Sequence, residues 1–324
     1  MSIFLELNIF IKELYNDLKK YFLKIKKKII KRYIQFVIHP LVKSPLIGIV
    51  KYIYLNFIIR FYHRPIKIKW LNNLKYYLSL GDSGIIGNYY FFIEDYEESI
   101  FLIHYLTDQD LFIDIGSNHG HYTMISSGIC DSKSISIEPV KKTFDRLKMN
   151  IELNNLRNVT LYNVGISDSE GELYISNNMG SMNRIIDKFS ENNCELIKGT
   201  TLDQLLISEK NISSIKIDVE GYEKQVLLGS KKTLKNPNLN VIIIELNKSN
   251  RQYSYNENET ISILEENGFS PYKYIYPDNI LVPLEKKNFD SFNTIFIRNI
   301  NSVKSRIEQK SVIINKNTVV LKKL

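Results

Sequence analysis

Much that would make this chain easy to classify is missing. Two cysteines in 324 residues, Cys130 and Cys194, cannot build a disulfide framework or a cysteine-ligated zinc site. The simple inference is a reducing compartment, and the expected location is the cytoplasm. No run approaches the ~20 apolar residues that a membrane-spanning helix needs. Pro40, Lys43, Pro45, Lys51 and Asn56 interrupt the most apolar stretch, residues 33–62. The start lacks the charged n-region of a secretory signal and carries Glu6, Glu13 and Asp17 among its apolar residues. No G-x-x-x-x-G-K-[ST] occurs, which excludes a P-loop. Alanine is absent while Ile, Asn, Lys and Tyr are plentiful, a bias read as genomic composition rather than function.

Charge of one sign is unevenly placed. The chain is +8 overall, yet residues 1–75 hold 16 Lys or Arg against 3 Asp or Glu, a balance of +13. The remaining 27 basic and 32 acidic residues give −5. Within the basic segment, residues 3–31 fit one helix. Ile3, Leu7, Phe10, Leu14, Leu18, Tyr21, Phe22, Ile25 and Ile29 recur at three- and four-residue steps, with lysines on the other face. A basic amphipathic helix of this kind can lie on an anionic membrane, here the inner surface, pair with a second copy as a homodimer, or cover its own domain.

Residues 66–100 read as a strand-rich lead-in, IKIKWL, KYYLSL and IIGNYYFFI, followed by a helix from Glu94 to His104. From Leu111 strands and helices alternate. Strands are predicted at 111–115, 134–137, 160–164, 215–217, 241–245, 272–275 and 294–298, and helices at 121–129, 140–154, 223–228 and 259–267. That rhythm implies an α/β fold, a mostly parallel sheet with helices on both faces. Residues 165–205 are polar and loop-like, and the basic tail 301–324 is weakly patterned. The expected organisation is a basic helical extension (1–65), a catalytic-type domain (66–300) and the tail.

The stretch DIGSNHG, Asp114 to Gly120, follows the apolar run Leu111-Phe112-Ile113 and precedes a helix. The next strand, in SISIEP, ends on Glu138. A strand, a glycine loop, a helix and a second strand tipped by a carboxylate can hold an adenosine-type cofactor, the carboxylate accepting hydrogen bonds from ribose hydroxyls. The loop lacks the middle glycine of G-x-G-x-x-G, and Asn118 stands where a pyrophosphate needs room. That disfavours a dinucleotide and an NAD-dependent oxidoreductase. S-adenosylmethionine has no phosphate, and Asp114 suits its cationic amino group.

A second constellation is IKIDVEGYE, Ile215 to Glu223. Its strand delivers Asp218, Glu220 and Glu223 to the carboxyl end of the sheet, where ligands bind in open parallel sheets. Asp114, Glu138 and Glu245, which ends VIIIEL, belong to the same rim. Asp218 or Glu220 is the favoured general base, with His121 the runner-up, because a neutral imidazole suits pH 7. The acids could instead hold Mg²⁺, although nothing in the spacing demands a metal.

In order, FIDIGSNHGHYT, IEP, VGISDSEGE, TLDQL, IKIDVEGYE and VIIIEL resemble the FkbM family of S-adenosylmethionine-dependent methyltransferases over roughly residues 90–300. Ser117 and His119 depart mildly from the family's pattern. The resemblance implies a Rossmann-like seven-stranded sheet with a reversed last strand. It implies that the loop of Asp114, Gly116, Asn118 and Gly120 wraps the methionine part of the cofactor, that Glu138 holds the ribose, and that residues from Val164 to Asp168 flank the adenine. It implies O-methylation of a sugar, glycan or glycolipid hydroxyl. The rival readings are an RNA-directed methyltransferase and a non-catalytic, membrane-associated assembly protein with a degenerate core. No Pro-Pro occurs, so the [DNS]-P-P-[FYW] motif of base amino-methylation is missing, and the acidic core disfavours a phosphate track. Residues 165–205 and 246–258 are expected to set acceptor choice.

Overall fold

The computed structural model describes residues 2–62, 64–79, 81–178, 180, 183–186, 193–247, 256–315 and 318–323. Residues 248–255 and 187–192, within the two stretches expected to set acceptor choice, lie outside the described residues.

Two helices open the chain. Helix α1 (Ser2–Ile38) runs seven residues beyond the predicted end and stops shortly before Pro40, which cannot continue it. Helix α2 (Pro45–Phe61) starts on Ser44, whose hydroxyl accepts the Ile47 amide at 3.4 Å, with Pro45 at the first helical position. Phe36, Leu55 and Ile59 are buried in the same apolar cluster as Trp70, Phe101 and Phe112, so the end of the extension packs against the body.

Strands β1 (Ile66–Lys69) and β2 (Lys75–Leu78) pair as a small antiparallel ribbon. The third apolar run of this region, read as a strand, is instead helix α3 (Ser83–Phe91). An apolar run this short carries no period that separates helix from strand, and packing decides. Here Ile85, Asn88 and Tyr90 are buried against neighbouring helices. Helix α4 (Tyr96–Tyr105) follows, buried almost throughout.

The body is a doubly wound sheet. Its elements are β3 (Leu111–Ile115), α5 (His121–Gly128), β4 (Lys133–Ile137), α6 (Lys141–Leu153), β5 (Val159–Tyr162), then, after an insertion, α7 (Leu202–Leu205), β10 (Ile212–Ile217), α8 (Glu223–Leu228), β11 (Val241–Glu245), α9 (Glu257–Glu266), β12 (Ser270–Ile275), β13 (Ile280–Pro283) and β14 (Asn293–Ile297). The insertion comprises β6 (Gly165–Ile166), β7 (Gly171–Ser176), β8 (Ile185–Ile186) and β9 (Cys194–Thr200). The strand order is β13-β12-β14-β11-β10-β3-β4-β5. Strand β14 slots between β11 and β12 and runs against both, which is the expected reversed strand. The expected count of seven is one short, because β13 adds an antiparallel edge strand to make an eight-stranded sheet. The fold is the Rossmann-like arrangement of methyltransferases, with apolar clusters on both faces of the sheet.

The segment 165–205, read as loop, holds the four-stranded sheet β6-β9-β7-β8. Strand β7 runs from exposed Gly171 and Glu172 to buried Ile175 and Ser176, and Ile175 and Ile197 pack on Val140. The tail is also ordered. Helix α10 (Ile300–Glu308) and the hairpin β15 (Lys310–Asn315) and β16 (Thr318–Lys323) return to α4, and Asn72 exchanges hydrogen bonds with Val319 at 3.0 and 2.6 Å.

Candidate active site

Register places the site. Ile137, Ile115, Ile217 and Ile244 lie side by side on the four adjacent parallel strands β4, β3, β10 and β11. The next residue on each strand is Glu138, Gly116, Asp218 and Glu245. One row of isoleucines therefore sets four site positions at one level of the rim. These residues, with the tips of the neighbouring loops, enclose a cavity of about 220 Å³.

On the β3–β4 side, Gly116 and Gly120 both have left-handed backbone, with φ of +78° and +93°. The Gly116 requirement is local. A Cβ there would stand 1.8 Å from the Asp218 carbonyl oxygen, so this glycine joins the cofactor-type loop to the acidic loop. Asp114 is buried two residues short of the rim and accepts the Thr123 hydroxyl at 2.6 Å. Burial pushes its carboxyl up to about 6, against the hydrogen bond from Thr123. Glu138 accepts the Asn118 amide on one oxygen and the Val140 amide on the other, each at 3.0 Å. Burial raises it to about 7, opposed by those two amides. Each oxygen keeps a lone pair for a further donor.

On the β10–β11 side, Asp218, Glu220 and Glu245 offer carboxylate oxygens that all lie within 4.8 Å of one another. Beneath them Lys216, fully buried, points its ammonium at Asp218 Oδ2, 3.2 Å away, and over the ring of Tyr122 at 5.3 Å. Burial works against ionisation of Asp218, but the Lys216 charge and a hydrogen bond from Glu245 outweigh it and hold the carboxyl below its usual value. Glu245 moves the other way, raised by burial and by the Asp218 charge. The pair therefore behaves as one anion, Asp218, hydrogen-bonded by a protonated Glu245. A cation could sit among three carboxylates so spaced, yet Lys216 already supplies a positive charge there. Asp95 joins this side of the cavity and accepts the Tyr122 hydroxyl at 3.2 Å.

His121 lines the cavity at the start of α5 but is ill placed as a base. Its Nδ1 meets the Asn88 side-chain amide and its Nε2 the Ser99 hydroxyl, both at 2.9 Å. Burial, with the nearby Lys216, pushes the ring down to about 3. Both nitrogens are used and the imidazole is neutral, so His121 braces α3 and α4 against α5. Asp168 is exposed outside the cavity, accepting the hydroxyls of Ser167 and Ser169. The wall on that side is Val164, Gly165 and Ile166. Glu223 does not line the cavity; it accepts the Gly221 amide at 2.8 Å.

Sequence reasoning missed Lys216 and Asp95. The first had a signal: a lysine in the middle of ISSIKI, a strand buried at every position, needs a counter-charge. Asp95 had none, because only the packing of α4 against α5, where the Tyr122 hydroxyl meets Asp95, brings it to the site. The insertion sheet also reaches the cavity, through Ile175, Asn183, Arg184 and Ile185.

The cavity fits S-adenosylmethionine. Two carboxyls stand on adjacent strand tips, one suited to an ammonium and one to a diol, beside an apolar wall of Ile115, Ile137, Val164 and Ile166. Ser117 Oγ and Asn118 Oδ1 on the loop are buried without a hydrogen-bond partner, so a ligand would satisfy them.

Residues 114–271 match the Methyltransferase FkbM domain. The hexuronic acid methyltransferase AglP of Haloferax volcanii is 30% identical over 145 residues, which cover 43% of this chain and 56% of that protein. The chain thus spans little more than half the length of that curated relative. Among solved structures, a precorrin-6y C5,15-methyltransferase from Geobacter metallireducens superposes with a TM-score of 0.36 at 11% identity, covering 62% of this chain and 86% of the other. A SAM-dependent O-methyltransferase from Thermotoga maritima gives 0.37 at 15% identity, covering 72% and 76%. These likenesses are distant, and the strand order carries the fold. Residues 114–271, just under half of the chain, thus match the FkbM methyltransferase family, whose cofactor is S-adenosylmethionine.

Proposed function

We propose that this chain transfers a methyl group to a hydroxyl oxygen of a sugar or glycan. The observation that carries the reading is the cluster of Asp218, Glu220 and Glu245 in the same cavity as the Asp114–Gly120 loop. Carboxylates at this spacing can accept hydrogen bonds from neighbouring hydroxyls of one sugar ring. The same cluster repels phosphate, which counts against RNA as the acceptor. The name of the Haloferax relative, a hexuronic acid methyltransferase, supports the sugar class loosely. Arg184 lines the cavity and would pair with the carboxylate of a uronic acid.

When bound, S-adenosylmethionine supplies an activated methyl group on a sulfonium centre. Glu138 would hold the ribose diol, Asp114 and the loop of Gly116, Asn118 and Gly120 the methionine portion, and Val164 and Ile166 the adenine. The chain's contribution to the reaction is orientation and charge. Asp218, kept ionised by Lys216, accepts the hydrogen bond of the reacting hydroxyl. A neutral alcohol becomes strongly acidic as its oxygen gains a third bond, to the incoming methyl carbon, while the carbon–sulfur bond breaks, so even a weakly basic carboxylate can take the proton late in the step. Glu245, already protonated, steadies Asp218 without competing for that proton. Glu220 is within reach of a second hydroxyl and orients the ring.

The test is methyl incorporation from labelled S-adenosylmethionine into hexuronic and neutral sugar acceptors. Asp218→Asn should lower kcat by about 10²- to 10⁴-fold, the usual reach of a general base. Affinity for S-adenosylhomocysteine, measured by calorimetry, should change little. Incorporation into RNA but into no glycan would sink the acceptor assignment, and full turnover by the variant would sink the role of Asp218.

A further inference from the structure

Helix α2 is apolar on two faces. One, with Gly48, Leu55 and Ile59, is buried in the body. On the other, Leu46, Val50, Ile53, Tyr54, Phe57 and Phe61 recur at helical spacing and are 51–70% exposed. The apolar stripe of α1 is also uncovered: Leu14, Leu18, Tyr21 and Phe22 are 48–65% exposed. Single exposed apolar side chains are ordinary, but two continuous stripes on neighbouring helices are not.

The charge around these stripes decides what covers them. They lie in the segment of +13, with Arg60 beside the α2 stripe and Lys19, Lys20, Lys26 and Lys27 exposed on α1. In a symmetric dimer built on this face, the same surface would meet itself and oppose two segments of +13. An anionic bilayer accepts both the apolar stripe and the cations. Among the described residues no helix is long and apolar enough to cross a membrane. Leu55 and Ile59 tie α2 to the body along its length, so it would lie flat.

We propose that α1 and α2 form a docking surface for an anionic lipid bilayer, with the outer stripe of α2 seated at the boundary between headgroups and acyl chains. One consequence rests on the sugar-acceptor reading above. A second cavity, of about 600 Å³, opens at the end of α1 between Ile38, His39, Tyr96 and Phe292 and reaches Asp95, which also lines the first cavity. Docking would set the mouth of this groove beside the membrane, where a lipid-borne glycan could enter.

The experiment uses the full chain and vesicles, with no acceptor or turnover, so it is independent of the acceptor assignment. Sedimentation at about 0.1 M salt compares vesicles of phosphatidylcholine with vesicles containing about 30% phosphatidylglycerol. At this ionic strength screening sets in beyond about 10 Å. The wild type should bind the anionic vesicles at least tenfold more tightly than the neutral ones. The double variant Ile53→Glu, Phe57→Glu should bind them at least tenfold more weakly than wild type, with its thermal melt and S-adenosylhomocysteine affinity unchanged. Replacing Lys19, Lys20, Lys26 and Lys27 by Glu should abolish the preference for anionic lipid. Equal vesicle binding by wild type and the double variant would overturn the proposal. So would a wild-type dimer that the double variant converts to monomer, with no vesicle binding by either, since the occupant would then be a second copy. RNA binding by a chain that ignores vesicles would overturn it too.

Discussion

Removing the ammonium of Lys216 should move the acid limb of the pH–rate profile. The side chain is fully buried, and its Nζ lies 3.2 Å from Asp218 Oδ2. At an effective dielectric of about 20, unit charges at that distance attract by about 5 kcal/mol, which is a ceiling. The Asp218 side chain is 33% exposed into the cavity, so water there screens part of the attraction. About half the ceiling, ~2–3 kcal/mol, corresponds to roughly 2 pKa units. The sign follows from the direction of the shift. In the native protein Asp218 is held below its usual value, so the base is present at neutral pH and is lost only as pH falls through that lowered value. In Lys216→Met, burial is opposed only by the hydrogen bond from Glu245, and the limb rises. The assay is kcat/KM for methyl transfer from about pH 4 to pH 9, with Lys216→Arg as the charge-retaining control. The methionine variant should show its acid limb about 2 units higher, while the arginine variant stays within about half a unit of wild type. A folded Lys216→Met enzyme with the wild-type limb would refute the reasoning. Thermal melts of all three proteins would separate that result from loss of the fold.

Three further outcomes are expected. Gly116→Ala should destabilise the fold by about 3 kcal/mol or more in urea denaturation, because its Cβ would strike the Asp218 carbonyl and its φ is positive. A stable Gly116→Ala that merely loses cofactor would show that the glycine serves the ligand instead. Glu138→Gln should weaken S-adenosylhomocysteine binding and remove the fall in stability around pH 7, because glutamine has no proton to lose and only one oxygen for the two amides that Glu138 accepts. Glu138 is raised to about 7 in the fold, so the stability tied to its proton is present below the ordinary carboxyl range and lost as pH rises through about 7. A wild-type pH dependence of melting together with tighter ligand binding would contradict both halves. His121→Gln should cost about 1–3 kcal/mol of stability and leave the pH dependence of kcat/KM untouched, since both ring nitrogens are already engaged. A lost acid limb in that variant would restore His121 as the base.

The legible part of the site was its local part. Asp114, Gly116, Gly120 and Glu138 announce themselves because a strand, a glycine turn and a strand-end acid are short-range patterns. Asp218, Glu220 and Glu245 follow from the rule that ligands gather at the carboxyl ends of parallel strands. The helix Ser83–Phe91 and the sheet within 165–205 were not legible. An apolar run of nine residues takes its conformation from what it packs on, and half-exposed strands read as loop when their polar face dominates.

The sequence by itself determined the donor side and the alternation of elements, since loop, glycine spacing and strand-end charge are properties of contiguous residues. It also determined that the first helix is basic on one face and apolar on the other. Only the tertiary structure decided three things. Register aligns four isoleucines and so brings Glu138, Gly116, Asp218 and Glu245 to one level. Packing of α4 against α5 sets Tyr122 against Lys216 and adds Asp95 to the site. The same packing ties up both nitrogens of His121 and removes it as a base, because a ring's hydrogen-bond partners come from elements far apart in the chain and no spacing in the sequence records them.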